Sequence, residues 1–169
     1  MKKMWVLLFL VLYSLSLRSI AMSLLSIESP AFLSNTVIPS QYTCDGANDS
    51  PPLLWQDAAS NTQSYVLIVD DPDAPSGVWD HWVLLNIPAN TRQLAAGTQI
   101  PNGAVNGKNS WGAVGYRGPC PPNGAHRYFF KLYALDTVLN LSDAPTKNEV
   151  EQAMQGHVIA NSELIGLYR

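Results

Sequence analysis

Three runs along this chain are apolar for most of their length and rich in β-branched and aromatic residues, so they read as strands. Residues 64–69 spell Ser-Tyr-Val-Leu-Ile-Val and stop at Asp70-Asp71-Pro72. Residues 81–87, from His81 to Ile87, form the second run, closed by Pro88. Residues 127–135 form the third. Polar positions alternate poorly within it, which predicts a strand buried on both faces. One helix is legible. Thr146-Lys147-Asn148-Glu149 is a capping box, with Thr146 as N-cap and Glu149 reaching back to it. Val150, Ala153 and Met154 follow at helical spacing and Gly156 stops the run. Residues 157–168 fit neither period cleanly. Glycine, asparagine and proline dominate residues 97–124, which read as loop, and a loop that long inside a compact domain usually serves function. With strands prevailing and one late helix, the expected fold is mostly β with peripheral helices.

At 169 residues, with no internal repeat and no linker, the chain is expected to hold one domain. Its first stretch has the form of a secretory signal. Lys2 and Lys3 precede an apolar run over residues 4–17, and Ser19-Ile20-Ala21 supplies small residues for cleavage after Ala21. The run is shorter than the ~20 residues a transmembrane helix needs. The expected organisation is a signal peptide over residues 1–21 and one domain over residues 22–169, exported to the periplasm or secreted. Cleavage would remove Lys2, Lys3 and Arg18, leaving seven basic against thirteen acidic residues and a net charge of −6. An acidic domain with no basic run is not built for nucleic acid or for an anionic membrane surface. Any anion it binds must be held locally.

The candidate chemistry lies in two blocks. One runs Asp70-Asp71-Pro72-Asp73-Ala74-Pro75 and on through Trp79-Asp80-His81-Trp82. The other runs Gly115-Tyr116-Arg117-Gly118-Pro119-Cys120-Pro121-Pro122 and on through His126-Arg127-Tyr128. Each joins a stiff, proline-bound turn to a histidine that opens a strand. If those strands are neighbours, Asp71, His81, His126 and Tyr128 converge at one end of a sheet. Gly118 beside Pro119 would offer open backbone for an anion. Histidine titrates near neutrality and can be recruited as a charged donor. Asp71 has the wrong sign for an anion, so its expected task is to accept an N–H from a histidine and fix its tautomer. Arg127 is expected to brace Asp73, and Asp73 to cap its own Asp-Pro turn. Tyr128, Phe129, Phe130, Tyr133 and His157 are read mainly as core.

Two cysteines, Cys44 and Cys120, lie in loops of the motif segments. In an oxidising compartment a Cys44–Cys120 disulfide is expected. Two buried thiols are the alternative.

These blocks resemble the phosphatidylethanolamine-binding protein family, also called Raf-kinase-inhibitor-like proteins, and within it the short bacterial and archaeal branch. Tyr42-Thr43-Cys44-Asp45-Gly46 with Asn48, Ser50-Pro51-Pro52-Leu53 and Trp55 belongs to the same pattern. So does the tail from Gly156-His157-Val158 to Leu164-Ile165-Gly166 and Tyr168. The resemblance implies a β-sandwich of a large and a small sheet, with residues 157–168 a strand. It also implies a pocket for the phosphate of a lipid head group or of a phosphorylated side chain. Asp71, His81, His126 and Tyr128 match its motif positions, and Pro75, Trp79, Gly118 and Pro119 match its walls. The implied function is non-catalytic binding, acting in one version by occluding a partner enzyme, as a kinase or protease inhibitor does. No cofactor is implied, and a homodimer is allowed. Two other classes stay open: a hydrolase with a histidine base, and a zinc protein using Asp71, His81 and His126. No Gly-x-Ser-x-Gly elbow is present, and no serine or cysteine adjoins the histidines in sequence.

Overall fold

The computed structural model describes residues 25–56, 60–97 and 99–169. The export signal read over residues 1–21 lies outside them. The described residues form strands β1 (Ser26–Glu28), β2 (Thr36–Val37), β3 (Leu53–Gln56), β4 (Ser64–Asp71), β5 (Trp79–Pro88), β6 (Gln93–Leu94), β7 (Val105–Asn106), β8 (His126–Leu135) and β9 (Val158–Tyr168). Helix α1 (Lys147–Ala153) precedes β9. A small sheet has the order β1-β3-β6 and a large one the order β2-β9-β8-β4-β5-β7. Every pairing is antiparallel except β2 with β9.

The large sheet is covered on both sides at its centre. Tyr65, Leu67 and Val69 of β4 pack with Trp82, Leu84, Tyr128, Phe130 and Leu132 against Ile27, Leu53 and Trp55 of the small sheet. Val66 and Ile68 point the other way, joining Val83, Leu85 and Leu135 beneath Val150 and Met154 at α1. The strand buried at every position is therefore β4, not β8. Along β8 burial alternates cleanly: His126, Tyr128, Phe130, Leu132 and Ala134 are buried, while Phe129 and Tyr133 are half-exposed. The continuous apolar look of β8 has a local cause. The charged ends of Arg127 and Lys131 lie over the Phe129 ring at 5.6 and 5.5 Å, so cations shield an aromatic on the outer face.

The α1 capping box forms as expected. Thr146 Oγ1 accepts from the Glu149 N–H, and the Glu149 carboxylate accepts the Thr146 N–H at 2.8 Å. Thr146→Ala should cost about 1 kcal/mol in urea unfolding; an unchanged midpoint would show that tertiary packing alone holds α1.

Adjacent aspartates serve opposite faces. Asp70, fully buried, accepts from Lys131 Nζ at 2.8 Å and Lys147 Nζ at 2.7 Å on the helix side. Asp71 turns to the other side, where the site lies.

Candidate functional site

A bulge positions the first histidine. Val69 pairs with Trp82 and Asp70 with Asp80, so His81 is the extra residue on β5. Such a residue re-aims the side chains around it. In plain alternation His81 would share the face of Val83 and Leu85. Instead Asp80 bonds Lys147 on the helix side, and His81 packs edge-on to the Tyr128 ring at 5.1 Å. The His81 Nδ1–H donates to the Arg117 carbonyl at 2.6 Å. That bond fixes the tautomer and leaves Nε2 for a ligand. Burial pushes the His81 pKa below its ordinary value, opposed by the Arg117 carbonyl and the Asp71 charge.

The second histidine opens β8. His126 Nδ1–H donates to Asp71 Oδ2 at 2.7 Å, with both side chains buried. Asp71 thus takes the orienting role read from its charge. Its other oxygen accepts the Asp73 N–H at 2.8 Å, so Asp71 caps the Asp-Pro turn. Asp73 does not cap that turn. Its carboxylate takes three bonds from Arg127: Nε at 2.8 Å, a terminal nitrogen at 2.7 Å and the backbone N–H at 3.0 Å. The guanidinium holds the Asp73 carboxyl down to about 2.

Tyr128 lies between them. Its phenol oxygen is buried and has no hydrogen-bond partner among the described residues. Burial first, then the charges of Asp71 and Asp73, push its pKa up, against a weaker pull from the Cys120 backbone. It is a neutral donor.

Asp71, His81, His126 and Tyr128 line a cavity of about 180 Å³ together with Pro75 and Trp79. That is small beside the ~300–1,000 Å³ of pockets for drug-sized ligands. Gly118 and Pro119, read as wall residues, are buried outside its lining. The Gly118 N–H is spent on Asn48 Oδ1 at 2.8 Å, and the Pro119 carbonyl on the Cys44 N–H at 3.0 Å. Gly118 is glycine for another reason: a Cβ there would sit 2.4 Å from the Tyr42 carbonyl oxygen. The next residues, Cys120, Pro121 and Pro122, supply the wall.

The two segments are also joined covalently. Cys44 and Cys120 form a disulfide, with Cα atoms 5.4 Å apart, and both residues are exposed rather than buried thiols. The Tyr116 hydroxyl donates to the Tyr42 carbonyl at 2.7 Å, adding a further brace.

Trp111, Ala74 and Ser76 line the cavity without having been expected there. Trp111 stands edge-on to Trp79 at 5.3 Å and to His81 at 5.0 Å. A lone tryptophan in a Gly- and Asn-rich loop was the available signal. His157, read as core, is exposed and bonds Asp136 at 2.9 Å.

The model of the phosphatidylethanolamine-binding protein family matches residues 28–169. The chain belongs to that family. It is 52% identical over 149 residues to the UPF0098 protein of Methanothermobacter thermautotrophicus, covering 86% of this chain and 99% of the relative. A phosphatidylethanolamine-binding protein homologue from Chlamydia trachomatis superposes with a TM-score of 0.83 at 43% identity, covering 86% and 97%. E. coli YbcL, described as a new member of the mammalian PEBP family, gives 0.81 at 31% identity, covering 87% and 99%. Membership makes this a protein of the binding kind, and its archaeal and chlamydial relatives place it in the short prokaryotic branch of the phosphatidylethanolamine-binding proteins.

Among the described residues no three His, Cys, Asp or Glu side chains gather as a metal site. Both cysteines are bonded, which removes them as nucleophiles.

Proposed function

We propose that the protein binds a small oxyanion of phosphate type in this cavity, as a free ion or a phosphorylated group, and performs no chemistry on it. The observation that carries this reading is the Tyr128 hydroxyl: a buried donor without a partner, at a cavity with two imidazoles whose Nδ1 atoms are already committed. An unpaired buried hydroxyl costs ~1–3 kcal/mol. A ligand oxygen would repay it, and an imidazole Nε2 becomes a further donor once that ring takes up a proton. Ser76, the hydroxyl nucleophile on the cavity wall, is hydrogen-bonded to neither imidazole, which favours binding over hydrolysis. The exposed disulfide supports action in an oxidising compartment, the periplasm or outside the cell. Occlusion of a partner enzyme, with the anion pocket reading a phosphorylated group on it, is the mode that the family resemblance favours.

Tyr128→Phe tests the reading. It should be at least as stable as the parent, since it removes an unpaired polar atom, while inorganic phosphate binds about tenfold or more weakly by calorimetry. A variant that unfolds more easily and binds phosphate normally would overturn the assignment.

Binding should also depend on pH. Because His81 is held below its ordinary value, an anion must recruit its proton. Affinity should then rise as pH falls from 8.5 to 6.5, by at most about tenfold per pH unit for one proton taken up. With a phosphate monoester such as methyl phosphate as ligand, that window lies above its second pKa of ~6, so the ligand's own charge changes little. A flat profile would remove His81 from the donors.

A further inference from the structure

We infer that Trp111 and Arg117 make this site select anionic phosphate monoesters against zwitterionic ones that carry an ammonium, an inference that rests on the anion-binding reading. The 109–115 loop is built to hold one tryptophan at the cavity. Buried Asn109 accepts the N–H groups of Trp111 and Ala113 at 3.0 and 3.1 Å and donates to the Gly115 carbonyl at 3.0 Å. Ser110 exchanges two bonds with the Asp80 backbone, at 2.8 and 2.9 Å. Trp111, so pinned, remains 37% exposed. An aromatic face beside a phosphate site is where a ligand's ammonium would bind, through cation–π attraction. In this protein one face of the ring is already taken, by the Arg117 guanidinium 4.8 Å from its centre. Arg117 has no carboxylate partner among the described residues, so its charge stays uncompensated at the site.

The carboxylates that could receive an ammonium are also committed. Asp71 holds His126, Asp73 holds Arg127, Asp80 holds Lys147, and Asp70 holds Lys131 and Lys147 on the opposite face. The site therefore offers donors for an anion, one further cation beside them, and no uncommitted carboxylate in the 70–81 block for a second, positive end. Arg117 serves the site through its backbone as well, since its carbonyl fixes His81 and its N–H donates to the His81 carbonyl at 3.0 Å. Side-chain substitution leaves those bonds in place.

Calorimetry at pH 8 with methyl phosphate and phosphoethanolamine, on the parent, Arg117→Gln and Arg117→Lys, tests the inference. The parent should prefer methyl phosphate by roughly two- to fivefold, the span expected of one exposed cation–aromatic contact. Arg117→Gln should bind methyl phosphate more weakly and close the gap, while Arg117→Lys keeps it. Equal binding of both ligands by the parent, or a gap that survives Arg117→Gln, overturns the inference and leaves the anion site standing. No binding of either ligand to the parent overturns the anion reading and this inference together.

Discussion

Replacing Cys44 and Cys120 together by serine should destabilise the protein by on the order of 4 kcal/mol. The disulfide closes a loop across a sequence separation of 76 residues, and the entropy removed from the unfolded chain grows with the logarithm of that length. For a domain of this size the melting temperature should fall by roughly 10 °C. Adding reductant to the parent should produce the same shift. The folded pocket should survive better than the stability does. The Cys44 N–H to Pro119 bond, the Gly118 to Asn48 bond and the Tyr116 to Tyr42 bond all cross the same junction without the sulfurs. Phosphate affinity measured well below the transition should therefore fall much less than stability. A double variant that melts with the parent would mean that the unfolded chain is already held compact across this junction.

How much of the site could be read from the sequence depends on the kind of force that places each residue. The central strands were legible because burial against two covers writes itself as an unbroken apolar run. The helix start was legible because a capping box is a local, four-residue device. The orienting role of Asp71 was legible by charge alone, since a carboxylate has no use next to an anion except to orient a donor; that His126 is the histidine it serves follows from the β4–β8 pairing. What stayed hidden depends on register and close approach. The His81 bulge is a property of the β4–β5 ladder, and without it His81 would belong to the helix side of the sheet. Gly118 looked like an anion nest because glycine permits one. The contact that demands glycine there comes from Tyr42, more than seventy residues earlier. The Asx cap fell to Asp71 rather than Asp73 because Arg127, on the neighbouring strand end, claims the second carboxylate. Trp111 was hidden because the network that pins it runs through the Asn109 side chain and the Asp80 backbone, contacts that leave no pattern in the sequence.

His81→Asn and Phe130→Ala should fail in opposite ways, and the contrast separates the site from its scaffold. An asparagine amide nitrogen can stand close to where Nδ1 stood, so the bond to the Arg117 carbonyl is retained while Nε2 is lost. Hydrogen bonds to a charged partner contribute ~1.5–3 kcal/mol, so phosphate should bind at least about tenfold more weakly. Stability at neutral pH should change by about 1 kcal/mol or less. Its pH dependence should change in a definite direction. The folded pKa of His81 lies below the unfolded value of 6.5, so the unfolded chain binds more protons between the two. The ligand-free parent therefore loses stability as pH falls through 6.5 toward the folded value. His81→Asn removes that loss, and its stability should exceed the parent's most clearly at pH 5. Phe130, fully buried and packed against Phe32 at 5.7 Å, has no polar atom to offer a ligand. Its truncation to alanine should cost ~3–5 kcal/mol. Phosphate affinity should stay near the parent's in whatever fraction remains folded. Urea unfolding at pH 5 and pH 7.5, paired with calorimetry on each protein, gives both readouts. If His81→Asn unfolds easily and binds phosphate normally, the imidazole is part of the core, and the donors for the anion must be sought in His126 and Tyr128 alone.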